Sequence, residues 1–209
     1  KIRQPSAWRI ESLAPDHYEN FPVASWLCPP ALRPAVVAIY RYARTADDIA
    51  DEGSASPEAR LVDLAAYRSD LDAVAVGHAP SPRWSRVFEP LRDVVRQHRL
   101  PKALLADLLD AFAQDAVQTR YVDRVELLDY CRRSANPIGR LLLHLYGIDD
   151  AVALAQSDAV CTALQLANFW QDIGVDTRRG RLYVPQADCV RFGVDPEALA
   201  AGHDSAAVR

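Results

Sequence analysis

The chain has 209 residues, 50% of them apolar, and a net charge of -4 at pH 7, which is enough to bury a sizeable core in one domain. With no basic cluster beyond Arg178, Arg179 and Arg181, it lacks the electrostatic footprint of a nucleic-acid binder. Four scattered cysteines (Cys28, Cys131, Cys161, Cys189) form neither a CxxC nor a zinc spacing and read as free thiols of a reducing cytosol. No apolar run approaches a membrane span and nothing resembles a signal peptide, so a cytoplasmic location is expected. The chain begins at Lys1 and contains no methionine, which predicts a trimmed N-terminus.

In chain order, apolar periodicity is helical nearly throughout, with no convincing alternating strand. Helices are predicted at 16–27, 31–52, 57–76, 82–98, 101–118, 124–134, 137–146, 150–176 and 196–202. Ser56-Pro57, Ser81-Pro82 and Asp195-Pro196 each set a capping residue before a proline at the first helical position. The GHAPSP stretch at 77–82 reads as a helix–helix connection, too short to separate domains. The expectation is an all-α, single-domain bundle over 1–209.

Two of these helices carry the same polar stripe. The first holds Tyr40, Arg44, Asp47 and Asp51; the second holds Gln165, Asn168, Asp172 and Asp176. Each ends in aspartates four apart, so both carboxylates leave one face of the helix. Each pair also sits near a predicted helix C-terminus, before Gly53 and before the TRRG stretch, where the macrodipole disfavours acids. Either pair alone would read as solvated surface, because a chain with 28 acids has several such pairs by chance. Repetition, and the polar extension upstream in otherwise apolar helices, points instead to a cation site. Two such helices packed face to face would hold four carboxylates in one apolar cavity.

Carboxylates and an amide are hard oxygen ligands that suit Mg²⁺, which commonly completes its shell with water and substrate phosphates. A diphosphate held between the acid helices is the natural ligand. Arg44, Arg178, Arg179 and Arg181 could donate to it, or could pair with the same aspartates. Metal-clamped diphosphate is a good leaving group, and an aromatic cavity would shield the carbocation left behind. Tyr40, Tyr42, Tyr130, Tyr146, Phe169, Trp170 and Tyr183 are candidates by type, each also an ordinary core residue. Gln165 and Asn168 could equally be core amides satisfied by backbone.

Three segments carry a resemblance to a known family: HYENFPVASWLCPPALRPAVVAIYRYARTADDIADE, ELLDYCRRSANPIGRLLLHLYG and LQLANFWQDIGVDTRRGRLYVP. Over essentially its whole length the chain resembles the squalene/phytoene synthases, and ENFPVAS, RTADDIADE, SANPIG and NFWQD resemble most the bacterial hydroxysqualene synthase branch of hopanoid and squalene biosynthesis. The resemblance implies a prenyl-synthase-like helical bundle around a central cavity. It implies that Asp47, Asp51, Asn168, Asp172 and Asp176 hold Mg²⁺ and diphosphate, and that Tyr40, Arg44, Tyr130 and Gln165 line the reacting end. His17 and Asn20 fall in a polar segment near the diphosphate, Arg181 and Tyr183 in a loop that closes over it. The implied reaction turns presqualene diphosphate and water into hydroxysqualene and diphosphate without a reductant, and no nicotinamide cofactor is expected. Gln171 stands where many relatives have arginine, and SANPIG replaces an AGxxG-like stretch, bringing Pro137 beside the cavity. Relatives usually continue beyond the position of Arg209 through further helices.

The alternatives are head-to-head condensation of prenyl diphosphates, to presqualene diphosphate, squalene or phytoene, and a non-catalytic assembly protein. The latter should have lost metal ligands, which this chain retains. A prenyl diphosphate lipid is the expected partner, with peripheral membrane contact and other enzymes of the hopanoid/squalene pathway as further expectations. No helix has the basic amphipathic pattern that would argue membrane docking directly.

Overall fold

The structure, a computed structural model, describes residues 28–201; the helix expected at 16–27, with His17 and Asn20, lies outside the described residues. The described elements are α1 (Arg33–Asp51), α2 (Pro57–Ala75), a 3-10 turn (Pro82–Trp84), α3 (Ser85–His98), α4 (Lys102–Asp115), α5 (Arg124–Ser134) and α6 (Asn136–Leu145). They continue with α7 (Ala151–Gln171), α8 (Ile173–Arg178), α9 (Gln186–Phe192) and α10 (Pro196–Ala200). The all-α expectation holds: among the described residues the β content is one isolated parallel bridge, Arg120 to Leu182.

α1 shows how the sequence sets up the site. Ala35, Ala38, Ile39, Tyr42 and Ala46 recur at three- and four-residue spacing and are buried against α2, α3 and α4. That places Tyr40, Arg44, Asp47 and Asp51 on the opposite face. Three rings lock the buried face in place. Tyr42 and Tyr67 stack at 5.5 Å, and Phe88 lies 4.5 Å from Tyr67. Tyr42 donates its hydroxyl hydrogen to the Leu105 carbonyl at 2.8 Å, and Tyr67 donates to the Tyr42 carbonyl at 3.1 Å. Each buried ring contributes roughly 1.5–3 kcal/mol by area alone. Tyr42 is thus a core residue, not a cavity aromatic.

A second apolar cluster joins α4, α5 and α7 through Ala111, Leu127, Tyr130, Phe169 and Tyr183. Two loops flank it, tied by backbone bonds from Leu182 N–H to Thr119 at 3.0 Å and from Gln186 N–H to Tyr121 at 2.9 Å. This pairing brings Tyr183 beside Tyr130. α6 lies against α7, with Gly139 at the close approach: a Cβ there would fall 2.6 Å from Cys161 Sγ and closer still to Ser157 Oγ.

Several expectations are corrected. The helix expected at 150–176 is interrupted at Asp172, where φ is -97° and ψ is 8°. The interruption is shallow, because Asp172 N–H still reaches Asn168 and Asp176 N–H still reaches Asp172, so the two aspartates stay one turn apart. α7 is not buried all round. Phe169 is its buried residue, while Leu164 and Trp170 are 53% and 60% exposed on a face that no described element covers. α1 and α7 are not packed face to face: α1 packs on α2, α3 and α4, and α7 on α5 and α6. Ser81 does not cap with its side chain; its hydroxyl and N–H both go to Asp70, at 2.7 and 2.8 Å, and a 3-10 turn precedes α3. The helix at 101–118 ends at Asp115. α9 went unpredicted, although Pro185 before it and Gly193 after it, at φ 65°, are ordinary start and stop signals.

Candidate active site: an acid cavity joined to an apolar groove

A cavity of about 350 Å³ opens where α1, α4, α5 and α7 come together. Asp47 borders it from α1, Asp172 and Asp176 from the α7–α8 junction, and Gln165 and Asn168 from the preceding turns of α7. Tyr130, Phe169, Arg181 and Tyr183 complete much of the wall. Two helices that do not pack on one another thus present their polar stripes to one space.

The fourth aspartate faces elsewhere. Asp51 lines an adjoining cleft and is held by Arg179 and by Arg181, whose Nη1 lies 2.7 Å from Asp51 Oδ1. Arg181 also donates to the Asp115 carbonyl at 3.2 Å, bridging the C-terminal ends of α1 and α4. Arg44 pairs with Asp48 at 2.7 Å and with Asp47 at 3.4 Å, and neither it nor Tyr40 borders the acid cavity. For Arg44, Arg179 and Arg181 the ion-pairing alternative is what the structure contains. Tyr146 and Trp170 are exposed and stand outside the cavity.

The electrostatics of this space are those of desolvated, crowded carboxylates. The Asp47 side chain keeps 42% of its accessible surface because it borders the cavity, yet the protein mass around it removes most of its solvation. That desolvation, only partly offset by Arg44, pushes its carboxyl up to about 6. Asp176 is likewise pushed to about 6 by burial and by the neighbouring Asp172. Among the described residues no three acidic, histidine or cysteine side chains form a ready-made metal cage. The donors are hard oxygens spread around the cavity wall, which fits Mg²⁺ with water and ligand oxygens in its shell better than a closed protein cage.

Asp115, at the C-terminus of α4, escaped the sequence reading. It is 8% exposed and accepts hydrogen bonds from the hydroxyls of Tyr130 and, at 3.3 Å, Tyr183. Burial pushes its carboxyl up to about 7, against the pull of Tyr130 and Arg181, and keeps both phenols protonated. One signal was available: Asp115 follows Leu105, Leu108 and Ala111 at core spacing, where an apolar residue is expected. Phe169 stacks on Tyr183 with ring centres 3.9 Å apart, so the cavity floor is an aromatic layer backed by a carboxyl.

From this cavity an apolar groove of about 620 Å³ runs between α6 and α7. Ile138, Leu142, Val160 and Leu164 line it, and Ser134, Gln165 and Asn168 border both spaces.

The sequence matches the squalene/phytoene synthase family over residues 14–209. The chain belongs to that family. It is 37% identical, over 90% of its length and 62% of the relative's, to a protein of Sinorhizobium fredii named hydroxysqualene synthase. A hydroxysqualene synthase of Zymomonas mobilis is 39% identical over 91% of this chain and 63% of its own. The crystal structure of squalene synthase HpnC from Alicyclobacillus acidocaldarius superposes with a TM-score of 0.81 at 37% identity, over 92% of this chain and 71% of that one. The chain therefore spans about three fifths of the length of the curated relatives it matches.

Proposed function

We propose that the protein containing this chain converts presqualene diphosphate and water to hydroxysqualene and diphosphate. The single observation that carries the reading is the junction of an acid cavity with an apolar groove at Gln165 and Asn168. An amphiphile with a diphosphate head and a long hydrocarbon tail needs both spaces, meeting at the carbon that ionises. The names of relatives at 37% and 39% identity support this substrate class.

Asp47, Asn168, Asp172 and Asp176 would hold Mg²⁺ together with the diphosphate oxygens, joined by Asp51 once its arginines turn to phosphate. Bound Mg²⁺ supplies neutralisation of the charge that develops on the departing diphosphate. Arg181, from the wall of the acid cavity, and Arg44, by leaving its pairs with Asp47 and Asp48, would exchange a carboxylate for a phosphate oxygen as charge-assisted donors. Tyr130, Phe169 and Tyr183 would offer ring faces to the cation. Gln165 lies where the two spaces meet and orients the reacting end. Tyr40, and His17 and Asn20 outside the described residues, complete the proposed substrate contacts. The metal contributes no hydride and none is needed, because the reaction is redox-neutral. Among the described residues no helix is long and apolar enough to cross a membrane; a lipid substrate favours peripheral contact with one.

The test is an incubation of full-length protein with presqualene diphosphate and Mg²⁺ in ¹⁸O-water without NADPH, read by mass spectrometry. An ¹⁸O-labelled C30 alcohol is the expected product. Condensation of prenyl diphosphates in a parallel tube, with no alcohol, would replace this reaction by the head-to-head one.

A further inference from the structure

Asp115 is a buried ionisable group that the proposed reaction leaves without a task. It is 8% exposed at the C-terminus of α4, where the macrodipole disfavours an anion. Among the described residues no cationic side chain forms an ion pair with its carboxyl: Arg181 bonds the backbone carbonyl of Asp115 at 3.2 Å and gives its Nη1 to Asp51. An uncharged residue of the same shape, asparagine, would cost the fold less. What separates the two side chains is their hydrogen-bond inventory. Ionised, Asp115 only accepts, and it does so twice, from Tyr130 at Oδ2 and from Tyr183 at Oδ1, the latter at 3.3 Å. An amide offers one acceptor oxygen, and its NH₂ would face the other phenol. Tyr130 comes from α5 and Tyr183 from the loop after α8, and both border the acid cavity. Phe169, from α7, stacks on Tyr183 and borders it too. One carboxyl thus ties together an aromatic wall drawn from three separate elements.

We propose, resting on the functional reading above, that Asp115 is a positioning residue for the reaction: by accepting both phenol hydrogens it fixes Tyr130 and Tyr183, with Phe169 stacked on Tyr183, in the wall against which the substrate reacts. Asp115 acts through the two tyrosines and transfers no proton. A carbocation partitions among products according to the shape of the wall around it, and a displacement of about 1 Å in an aligned group costs up to about a hundredfold in rate. A carboxylate that is unfavourable for the fold is retained because it alone satisfies both phenols as an acceptor.

The test compares wild type, Asp115→Asn, Tyr183→Phe and the double variant as full-length proteins at pH 8, with presqualene diphosphate and Mg²⁺ in ¹⁸O-water. It reads kcat, KM, the ratio of labelled alcohol to elimination hydrocarbons, and the melting temperature. Asp115→Asn should lower kcat by at least about tenfold with KM within about threefold, and should shift the product ratio, while melting at or above the wild-type temperature. A merely structural role would lower the melting temperature and leave the product ratio where it was, which overturns the proposal. The double variant should lose less than the product of the two single losses, because one amide oxygen then serves the one remaining phenol. Losses that multiply overturn the proposal. Ultraviolet difference spectra of the substrate-free proteins give a readout independent of the reaction: Asp115→Asn should move tyrosine absorption to shorter wavelength as a phenol–carboxylate bond is lost, and an unchanged spectrum also overturns it. Absence of labelled alcohol from the wild type overturns the functional reading, and the proposal with it.

Discussion

Asp115 concentrates the energetics of the site in one carboxyl. Its ordinary value of 3.8 is raised to about 7 by burial, so the folded protein holds that proton more tightly than the unfolded chain does. A carboxyl raised in this way contributes stability that is fully present below about pH 4 and is lost as pH rises through about 7. Asp115→Asn, which cannot ionise, should therefore stabilise the protein by roughly 1–3 kcal/mol at pH 8 and give no gain at pH 4, as read by thermal melts at the two values. Asp47 and Asp176, both raised to about 6, must shed their protons to meet a cation, so Mg²⁺ affinity should weaken as pH falls through 6 in a calorimetric titration. Asp47→Asn or Asp172→Asn should lower turnover by more than about a hundredfold while leaving the melting temperature unchanged or higher. A near-native rate in either variant would contradict a metal site shared by the two helices. The sequence exposed these aspartates because they repeat at helical spacing. It hid Asp115, whose partners Tyr130 and Tyr183 come from a different helix and a distant loop, so no local pattern announces it.

At the scale of elements, the site depends on two close approaches. Gly139 lets α6 lie on α7, and Gly139→Ala would drive a methyl group into Ser157 and Cys161. The expected cost is about 1–3 kcal/mol, with a narrowed groove, measurable as a lower denaturation midpoint and a raised KM for a long-chain substrate. Arg181 is the second: it ties α1 to α4 through Asp51 and the Asp115 carbonyl. α5 was legible to the residue at 124–134, and α2 to within one residue at its end, because Ser56 and Pro57 mark its start and the apolar period runs cleanly. The interruption of α7 at Asp172 was not legible. The polar stripe keeps its period straight through it, and Gly174 is a weak local signal. The open outer face of α7 was also illegible, since an apolar pattern predicts burial without saying against what.

Across the whole molecule, the α1–α4 core carries Asp47 and Asp51, while the α4–α5–α7 cluster carries the aromatic floor and orients Asn168, Asp172 and Asp176. α4 belongs to both, so the two acid motifs are set relative to one another by a helix that contributes neither. The sequence showed that both motifs exist; only the fold showed that they meet across a cavity with Asp51 turned to its arginines. The central claim is that these motifs form one cation-dependent diphosphate site. It is tested most directly by the thermal shift of full-length protein with Mg²⁺ and inorganic diphosphate, together and separately, in wild type and Asp172→Asn. The account predicts stabilisation of about 2.7 kcal/mol at a hundredfold excess over the dissociation constant, only with both ligands present and lost in the variant. A shift from diphosphate alone, or one that survives Asp172→Asn, would contradict it.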